Sequence, residues 1–186
     1  MSKIVKFELM ETRHFSAMAK IQCEVLPDDI FSTLGVKRLT ADIYPWVFKV
    51  NAGSLVAIVD SEVVGFTFFT HNNFATGSFL LKNFWMAMRL LTRHPLRLFM
   101  AALIFLVKSR NLPDYEFIWV CVKSNQQGKG IGKRMISNIL DTEFARNDLC
   151  VHVRTLKATP GNTSFYNSLG FRAVGHKIGR VWLVWP

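Results

Sequence analysis

Residues 117–134 decide the fold, and they read FIWVCVKSNQQGKGIGKR. The first six are apolar and rich in aromatic and β-branched side chains, which predicts a buried strand. The apolar residues after Gly130 follow a helical period, so a helix comes next. Glycines between the two elements let the backbone approach an anion closely, and the helix N-terminus offers unpaired N–H groups and a positive dipole end. The stretch therefore predicts an α/β fold with a phosphate-binding turn.

The glycine spacing excludes two common phosphate-binding motifs. A P-loop requires GxxxxGK[ST], but three residues separate Gly128 from Gly132, and Arg134 follows Lys133. A dinucleotide-binding turn requires GxGxxG, whereas the order here is GxGxG. Residues 127–132, QGKGIG, do match the pattern Q/R-x-x-G-x-G/A. This hexapeptide resembles the acyl-CoA-binding motif of the GNAT N-acetyltransferases, in which the turn holds the coenzyme A pyrophosphate.

A second segment downstream resembles the same family. Residues 162–171 read NTSFYNSLGF, which is similar to the family's N-x-x-A-x-x-F-Y-x-x-x-G-F with one residue fewer before Phe165 and Tyr166. The resemblance implies that Asn162 binds the pantetheine or pyrophosphate region. It also implies that Tyr166 lies near the thioester sulfur, where a phenol can protonate the departing thiolate. Helix packing is the alternative role for both aromatic residues, and we prefer it for Phe165.

The resemblance further implies acetyl-CoA as co-substrate. Backbone N–H groups of the motif strand would polarise the thioester carbonyl and pair with pantetheine, while the turn binds the pyrophosphate. The predicted cofactor-binding residues are Val120, Cys121, Val122, Gln127, Gly128, Lys129, Gly130, Ile131, Gly132, Lys133 and Asn162. The five histidines have no metal-ligand spacing, so we predict no metal.

Acyl transfer to an amine needs a base, because the amine must be neutral before it attacks. Glu116 lies eleven residues before Gln127, a position that resembles that of the catalytic glutamate in the histone-acetylating GNATs. Desolvation by its aromatic neighbours favours this role. A solvated charge at the strand end is the alternative. We do not expect an acyl-enzyme on Cys121, since a mid-strand cysteine is normally a packing residue.

Three acidic residues lie close together in the sequence where the first two helices meet. The resemblance implies that these helices line the acceptor side. Glu24, Asp28 and Asp29 are therefore the predicted substrate-binding residues, because carboxylates suit an amine acceptor. Helix capping by Asp28 or Asp29 is the alternative role.

The rest of the chain predicts one domain, residues 1–186. A strand in 3–10, helical regions in 12–25 and 30–50, and a hairpin with the turn Asp60-Ser61 precede the motif. A strand in 149–155, a helix in 162–169 and two strands follow it. This order fits the GNAT fold, an α/β fold with a mixed, mostly antiparallel central sheet flanked by helices. A helical insert separates the hairpin from the motif strand.

The insert, residues 72–113, is apolar and basic. Residues 63–113 contain six basic residues and no acidic one, in a chain of net charge +10. The pattern predicts two apolar helices broken at Pro95, each with a thin basic edge. The apolar faces of such helices normally pack against another surface. A lid over the acceptor cleft, a homodimer contact through residues 79–109 and a peripheral contact with an anionic membrane surface all fit this pattern.

Composition narrows the class of protein. Half of the residues are hydrophobic, which excludes a disordered chain, and no apolar run reaches the ~20 residues of a membrane span. The N-terminus lacks the apolar core of a signal peptide, so we expect a cytoplasmic protein, peripheral at the inner membrane face if the insert binds lipid. The basic residues form no recognised nucleic-acid-binding motif, so we expect no nucleic-acid partner.

These features lead to one expected function. The chain is predicted to move an acetyl group from acetyl-CoA to a primary amine of a small molecule, such as an amino sugar or another metabolite, by direct transfer in a ternary complex. A protein N-terminus or lysine as acceptor is the enzymatic alternative. A non-catalytic acyl-CoA-binding module is the alternative from a different class.

Overall fold

The computed structural model describes residues 4–50, 53–71, 84–96, 99, 112–177 and 179–186. Within these ranges seven strands form one sheet. The strands are β1 (Lys6–Leu9), β2 (Gly53–Val59), β3 (Glu62–His71), β4 (Tyr115–Val122), β5 (Val151–Leu156), β6 (Arg172–Lys177) and β7 (Arg180–Trp185). Their order is β1-β2-β3-β4-β5-β7-β6, and every neighbouring pair is antiparallel except β4 with β5. The predicted mixed, mostly antiparallel sheet is confirmed.

Helices flank this sheet. They are α1 (Phe15–Val25), α2 (Tyr44–Val50), α3 (Phe84–Arg93), α4 (Ile131–Ile139) and α5 (Pro160–Asn167). Shorter helical turns adjoin them at Thr12–His14, Ser32–Leu34, Val36–Arg38, Leu39–Ile43, Ser124–Gln126, Leu140–Phe144 and Ala145–Asn147. The helical region predicted for 30–50 is therefore a series of turns that lead into α2. Gly35, with a φ of +81°, makes the predicted break.

The hairpin that joins β2 to β3 turns at the predicted dipeptide. Asp60 and Ser61 have φ values of +50° and +66°. Two consecutive residues in this region form a type I′ turn, whose twist matches that of the flanking strands. The turn places Val59 opposite Glu62 in the antiparallel register, so the hairpin prediction is confirmed.

A β-bulge in β4 changes which face of the sheet each side chain meets. Phe68 of β3 pairs with Trp119 and Phe69 pairs with Phe117, so Ile118 is the extra residue. Because of this extra residue, Phe117 packs in the core beneath α4 and α5, whereas Trp119 packs in the core beneath α1. We call these two sides of the sheet the α4 face and the α1 face.

The insert is described only in part. Helix α3 lies between β3 and β4, as the sequence predicts. Much of the second predicted helix, and residues 72–83, lie outside the described residues. Large apolar side chains are exposed along this segment, at Met88, Leu91, Leu96 and Phe99. None of the helices in the described residues has the length and hydropathy that a bilayer span requires.

Candidate active site

The centre of the site is an opening between the two parallel strands. β4 and β5 pair only from Tyr115 with Val151 to Phe117 with Val153. Beyond this point β4 continues along β3 to Val122, and β5 continues along β7. The sheet therefore divides after Phe117, and the predicted backbone donors, Val120, Cys121 and Val122, lie on the strand that borders the opening.

The glycine-rich turn lies at the end of β4 and leads directly into α4. Gly128 and Gly130 have φ values of +76° and +74°, and a Cβ at either would meet no atom within 4 Å. The first hydrogen bond of the helix runs from Arg134 N–H to Gly130 C=O, at 3.0 Å. The N–H groups of Ile131, Gly132 and Lys133 precede that bond at a helix N-terminus. Open space over a left-handed turn and a helix N-terminus together suit a phosphate group.

Side chains of the turn divide into two groups. Gln127 donates its Nε2 to Val122 C=O at 2.9 Å, and Lys129 donates its Nζ to Asn125 C=O and Gln126 Oε1, both at 2.9 Å. These two side chains hold the shape of the turn. Lys133 and Arg134, in the first turn of α4, are exposed. Their charges add to the positive end of the helix dipole.

Helix α5 lies beside this turn, with the Phe165 ring next to Gly132. A Cβ at Gly132 would lie 3.5 Å from Val122 Cγ2 and 3.6 Å from the Phe165 ring. Phe165 thus packs against the start of α4, as we preferred from the sequence. Asn162 is exposed in the first turn of α5, which Pro160 begins. Both helix N-termini belong to the same side of the site.

Tyr166 is buried, with 8% of its surface exposed. Its ring packs against Phe165 and Phe171, with centroids 5.1 and 5.3 Å apart. Burial, and to a smaller extent the Cys121 thiol, raise the pKa of Tyr166 above that of a free phenol. The hydroxyl is therefore protonated at neutral pH and lies within electrostatic range of Cys121 in β4. A proton donor to a leaving thiolate needs both properties.

Cys121 itself is buried beneath the α1 face. Burial raises the pKa of its thiol well above the ordinary value, and the Asp29 carboxylate adds to the effect. The thiol form, which is a poor nucleophile, dominates at neutral pH. This environment agrees with the expectation that Cys121 forms no acyl-enzyme.

Glu116 is 8% exposed, so the alternative of a solvated charge at the strand end is wrong. Its carboxylate binds Arg154 through both oxygens: Arg154 Nε contacts Oε1, and Nη2 lies 2.8 Å from Oε2. A bidentate pair of this kind fixes both side chains. Sequence reasoning missed Arg154, although its place in an otherwise buried strand was a usable signal. The base role of Glu116 stays a prediction.

His152 is the second polar residue that sequence reasoning missed. Its Nε2 lies 3.6 Å from Glu116 Oε2, and the residue is buried. Burial lowers the pKa of His152, although the Glu116 carboxylate acts in the opposite direction. The imidazole is therefore neutral at pH 7. It extends the polar group around Glu116 on the α1 face without adding a charge.

The three predicted acceptor carboxylates have separate surroundings. Glu24 Oε1 accepts a hydrogen bond from Ser124 N–H at 2.9 Å. Hydrogen bonds from the Ser124 side chain and then its backbone lower the pKa of Glu24. Glu24 thus ties α1 to the motif turn, while Asp28 is exposed. Their binding roles stay predictions.

Asp29 is a capping residue, which was the alternative from the sequence. Its Oδ1 accepts hydrogen bonds from Phe31 N–H at 3.0 Å and Ser32 N–H at 3.4 Å. Gln22 Nε2 lies 3.3 Å from the same oxygen, and Tyr44 donates its hydroxyl to Gln22 Oε1 at 2.7 Å. Burial raises the pKa of Asp29, and these hydrogen bonds oppose that effect. The carboxylate belongs to a polar network beneath the α1 face.

A known protein family matches the part of the chain that forms this site. Residues 99–173 match the acetyltransferase (GNAT) domain family, a range that includes β4, the glycine turn, the opening and α5. The matched range is similar to a GNAT acetyltransferase domain. No curated protein matches the sequence.

Solved structures of acetyltransferases share the fold over almost the whole chain. A structure from Corynebacterium glutamicum, described as histone acetyltransferase HPA2 and related acetyltransferase, is 15% identical with a TM-score of 0.65, covering 100% of this chain and 97% of that one. The PaiA N-acetyltransferase of Thermoplasma acidophilum, solved in complex with coenzyme A, is 11% identical with a TM-score of 0.62 and coverages of 99% and 98%. YncA of Salmonella typhimurium, a putative acetyltransferase solved with acetyl-CoA, is 17% identical with a TM-score of 0.61 and coverages of 97% and 92%.

These likenesses show the fold of the GNAT domain. In the described part of the chain, no three metal-ligating side chains come together; that the reaction uses no metal stays a prediction. The extent of the domain, residues 1–186, stays a prediction as well.

Proposed function

We propose that this chain is an acetyl-CoA-dependent N-acetyltransferase that acetylates the primary amine of a small molecule by direct transfer. The observation that carries the proposal is the division of β4 from β5 after Phe117, with the glycine turn at the end of β4. The GNAT proteins from Thermoplasma acidophilum and Salmonella typhimurium, which share this fold, were solved with coenzyme A and acetyl-CoA.

The residues present fit coenzyme A. The open space over Gly128 and Gly130 and the N–H groups of residues 131–133 would hold the pyrophosphate. The exposed side chain of Lys133 supplies a cation there, and Asn162 offers an amide from the N-terminus of α5. Backbone groups of β4 that border the opening would pair with the amide groups of pantetheine.

The chemistry requires two proton transfers. Acetyl-CoA supplies an acetyl thioester: its C–S bond breaks, a C–N bond to the acceptor forms, the amine loses a proton and the thiolate gains one. Tyr166 holds a proton at its phenol oxygen and is the proposed donor to the thiolate. The Val120–Val122 backbone contributes N–H groups that stabilise negative charge on the carbonyl oxygen.

Removal of the amine proton is assigned to Glu116. Arg154 occupies both of its oxygens in the structure, so this ion pair must loosen before the carboxylate accepts a proton. Direct transfer needs no covalent intermediate on the protein, which agrees with the protonated, buried thiol of Cys121. Glu116 thus acts on the acceptor amine, and Tyr166 acts on the thiolate of coenzyme A.

Release of free thiol from acetyl-CoA across a panel of small amines tests this function. The parent protein should release thiol only when an acceptor amine is present, and mass spectrometry should find the acetylated amine. Glu116→Gln should lower kcat, with recovery at higher pH as the fraction of neutral amine increases. Glu116→Asp is the matched control that keeps the charge. Binding of coenzyme A without turnover on any amine would instead identify a non-catalytic acyl-CoA-binding module.

A further inference from the structure

Arg180, the first residue of β7, is a charged side chain that neither the motifs nor the proposed mechanism uses. It pairs with Leu156 of β5 and Lys177 of β6 in the sheet register. The alternate residues of β7, Val181, Leu183 and Trp185, pack in the core beneath α4 and α5. Since side chains alternate along a strand, Arg180 points to the α1 face, opposite the glycine turn and α4.

The α1 face at this point carries the other charged groups of the site. Arg154 lies on the same face, two register positions away, because it pairs with Trp182 and Leu156 pairs with Arg180. Burial and the charge of Arg154 lower the pKa of Arg180, and the carboxylates of Asp29 and Glu116 act in the opposite direction. These four groups therefore lie in one region, beside the opening between β4 and β5.

Both nearby carboxylates already have other partners. Glu116 is bound through both oxygens by Arg154, and Asp29 Oδ1 accepts hydrogen bonds from two backbone N–H groups and Gln22. Among the described residues, no hydrogen bond or salt bridge reaches the Arg180 side chain, which is half-buried. An arginine stays charged in proteins, so this guanidinium is partly desolvated and has no direct ion-pair partner among the described residues.

We propose that Arg180 binds a carboxylate or phosphate group of the acceptor, so that the substrate is a small amine that carries an anionic group. This inference rests on the proposed function. A guanidinium matches both anions with two parallel N–H donors, which gives orientation as well as affinity. Its place on the α1 face separates it from the coenzyme A phosphates at the turn. The site would thus bind two anions on opposite sides of the sheet.

Matched pairs of acceptors test the proposal. The carboxylate pair is 4-aminobutyrate with 4-aminobutanamide, and the phosphate pair is O-phosphoethanolamine with ethanolamine; in each pair only the first member is anionic. The parent should have a lower KM for the anionic member of at least one pair, and that pair identifies the anion. Arg180→Gln should raise this KM about tenfold or more, with a smaller change in kcat, because a charge-assisted hydrogen bond is lost.

Three controls separate this result from a general defect. Arg172→Gln removes an exposed arginine of β6 and should change no KM. Arg180→Lys keeps the charge without the planar donor pair and should recover part of the affinity. The KM for acetyl-CoA and for the neutral amines should be unchanged in Arg180→Gln. Equal losses for anionic and neutral amines, or weaker binding of coenzyme A, would overturn the proposal.

The two proposals fail in different ways. If the parent acetylates neutral amines as well as their anionic partners, the N-acetyltransferase function stands and the role of Arg180 is wrong. If the parent acetylates no amine, thermal shifts with 4-aminobutyrate or O-phosphoethanolamine in the presence of coenzyme A still report binding. A shift that Arg180→Gln abolishes and Arg172→Gln retains would support the anion site alone. No shift with any anionic amine would refute the site.

Discussion

Tyr166→Phe should slow acetyl transfer about 100-fold, at the lower end of the range for general acid catalysis. Burial raises the pKa of Tyr166, which keeps the phenol protonated but makes it a weaker acid. We therefore expect the lower end of that range, equivalent to about 2.7 kcal/mol of transition-state stabilisation. The substitution removes one oxygen and keeps the ring that packs on Phe165 and Phe171. Stability should accordingly change by about 1 kcal/mol or less.

Single-turnover thiol release at saturating acetyl-CoA and acceptor measures this effect. The rate constant should fall, while the Kd for coenzyme A, measured by calorimetry, should stay unchanged. In the parent, an acid with a raised pKa remains protonated as the pH rises from 7 to 9, so this group should cause no loss of rate over that range. A Tyr166→Phe rate constant within about threefold of the parent value would refute the general-acid assignment, since that role predicts at least 100-fold.

Tyr44→Phe is the matched control, because Tyr44 is a second buried tyrosine with a raised pKa. Its hydroxyl donates to Gln22 Oε1 at 2.7 Å, so the substitution leaves a buried acceptor unsatisfied. The expected cost is about 1–3 kcal/mol of unfolding free energy. This control should therefore lower Tm more than Tyr166→Phe does and affect the rate less. The reverse pattern would contradict the assignment of the general acid to Tyr166 and favour Tyr44 instead.

Three further predictions concern the glycine turn, His152 and the insert. Gly130→Glu should weaken coenzyme A binding about tenfold or more, because it puts a negative charge at the helix N-terminus. Gly179→Glu, which makes the same charge change at an open position with a φ of +67°, should leave the Kd unchanged, and equal effects would refute the site. Burial lowers the pKa of His152, so the unfolded state takes up its proton first as the pH falls below about 6.5. The stability advantage of the parent over His152→Gln, measured by urea unfolding, should shrink between pH 7.5 and 5.5, and a constant difference would contradict this. If the insert binds anionic membranes, the parent should float with anionic vesicles at low salt and Leu96→Asp should not; a parent that does not float removes the membrane prediction.

Local features of the sequence predicted the fold well. The positive φ values at Asp60, Ser61, Gly128 and Gly130 reflect residues whose type already indicates such turns. A continuous apolar run placed β4, which packs on both faces, and a helical apolar period placed α4. These signals are contained within a few neighbouring residues. A single sequence therefore suffices to find them.

The roles of individual polar residues were harder to predict, because they depend on distant parts of the chain. Glu24 contacts the backbone of Ser124, a hundred residues later. The partner of Glu116 is Arg154, and their meeting requires the parallel register of β4 with β5. Spacing along the chain gives no sign of either contact. Asp29 looks the same in sequence whether it caps a turn or faces a substrate.

The bulge at Ile118 explains why strand alternation alone misassigns the site. Without an extra residue, Phe117 and Trp119 would face the same side of the sheet, opposite Glu116. The bulge sends Phe117 to the α4 face and leaves Trp119 on the α1 face with Glu116. Glu116 thus shares the α1 face with Trp119, and its carboxylate is bound by Arg154 from the neighbouring strand.

The basic residues of the C-terminal part lie on both sides of the sheet. Residues 114–186 contain ten basic and five acidic residues. Lys133 and Arg134 are exposed at the N-terminus of α4, while Arg154 and Arg180 lie on the opposite face of the sheet. One cluster of cations would repel itself, whereas two clusters separated by a sheet can each attract a different anion. The division of β4 from β5 then lets groups bound on either face meet, which is the geometry that the proposed transfer from acetyl-CoA to an anionic amine requires.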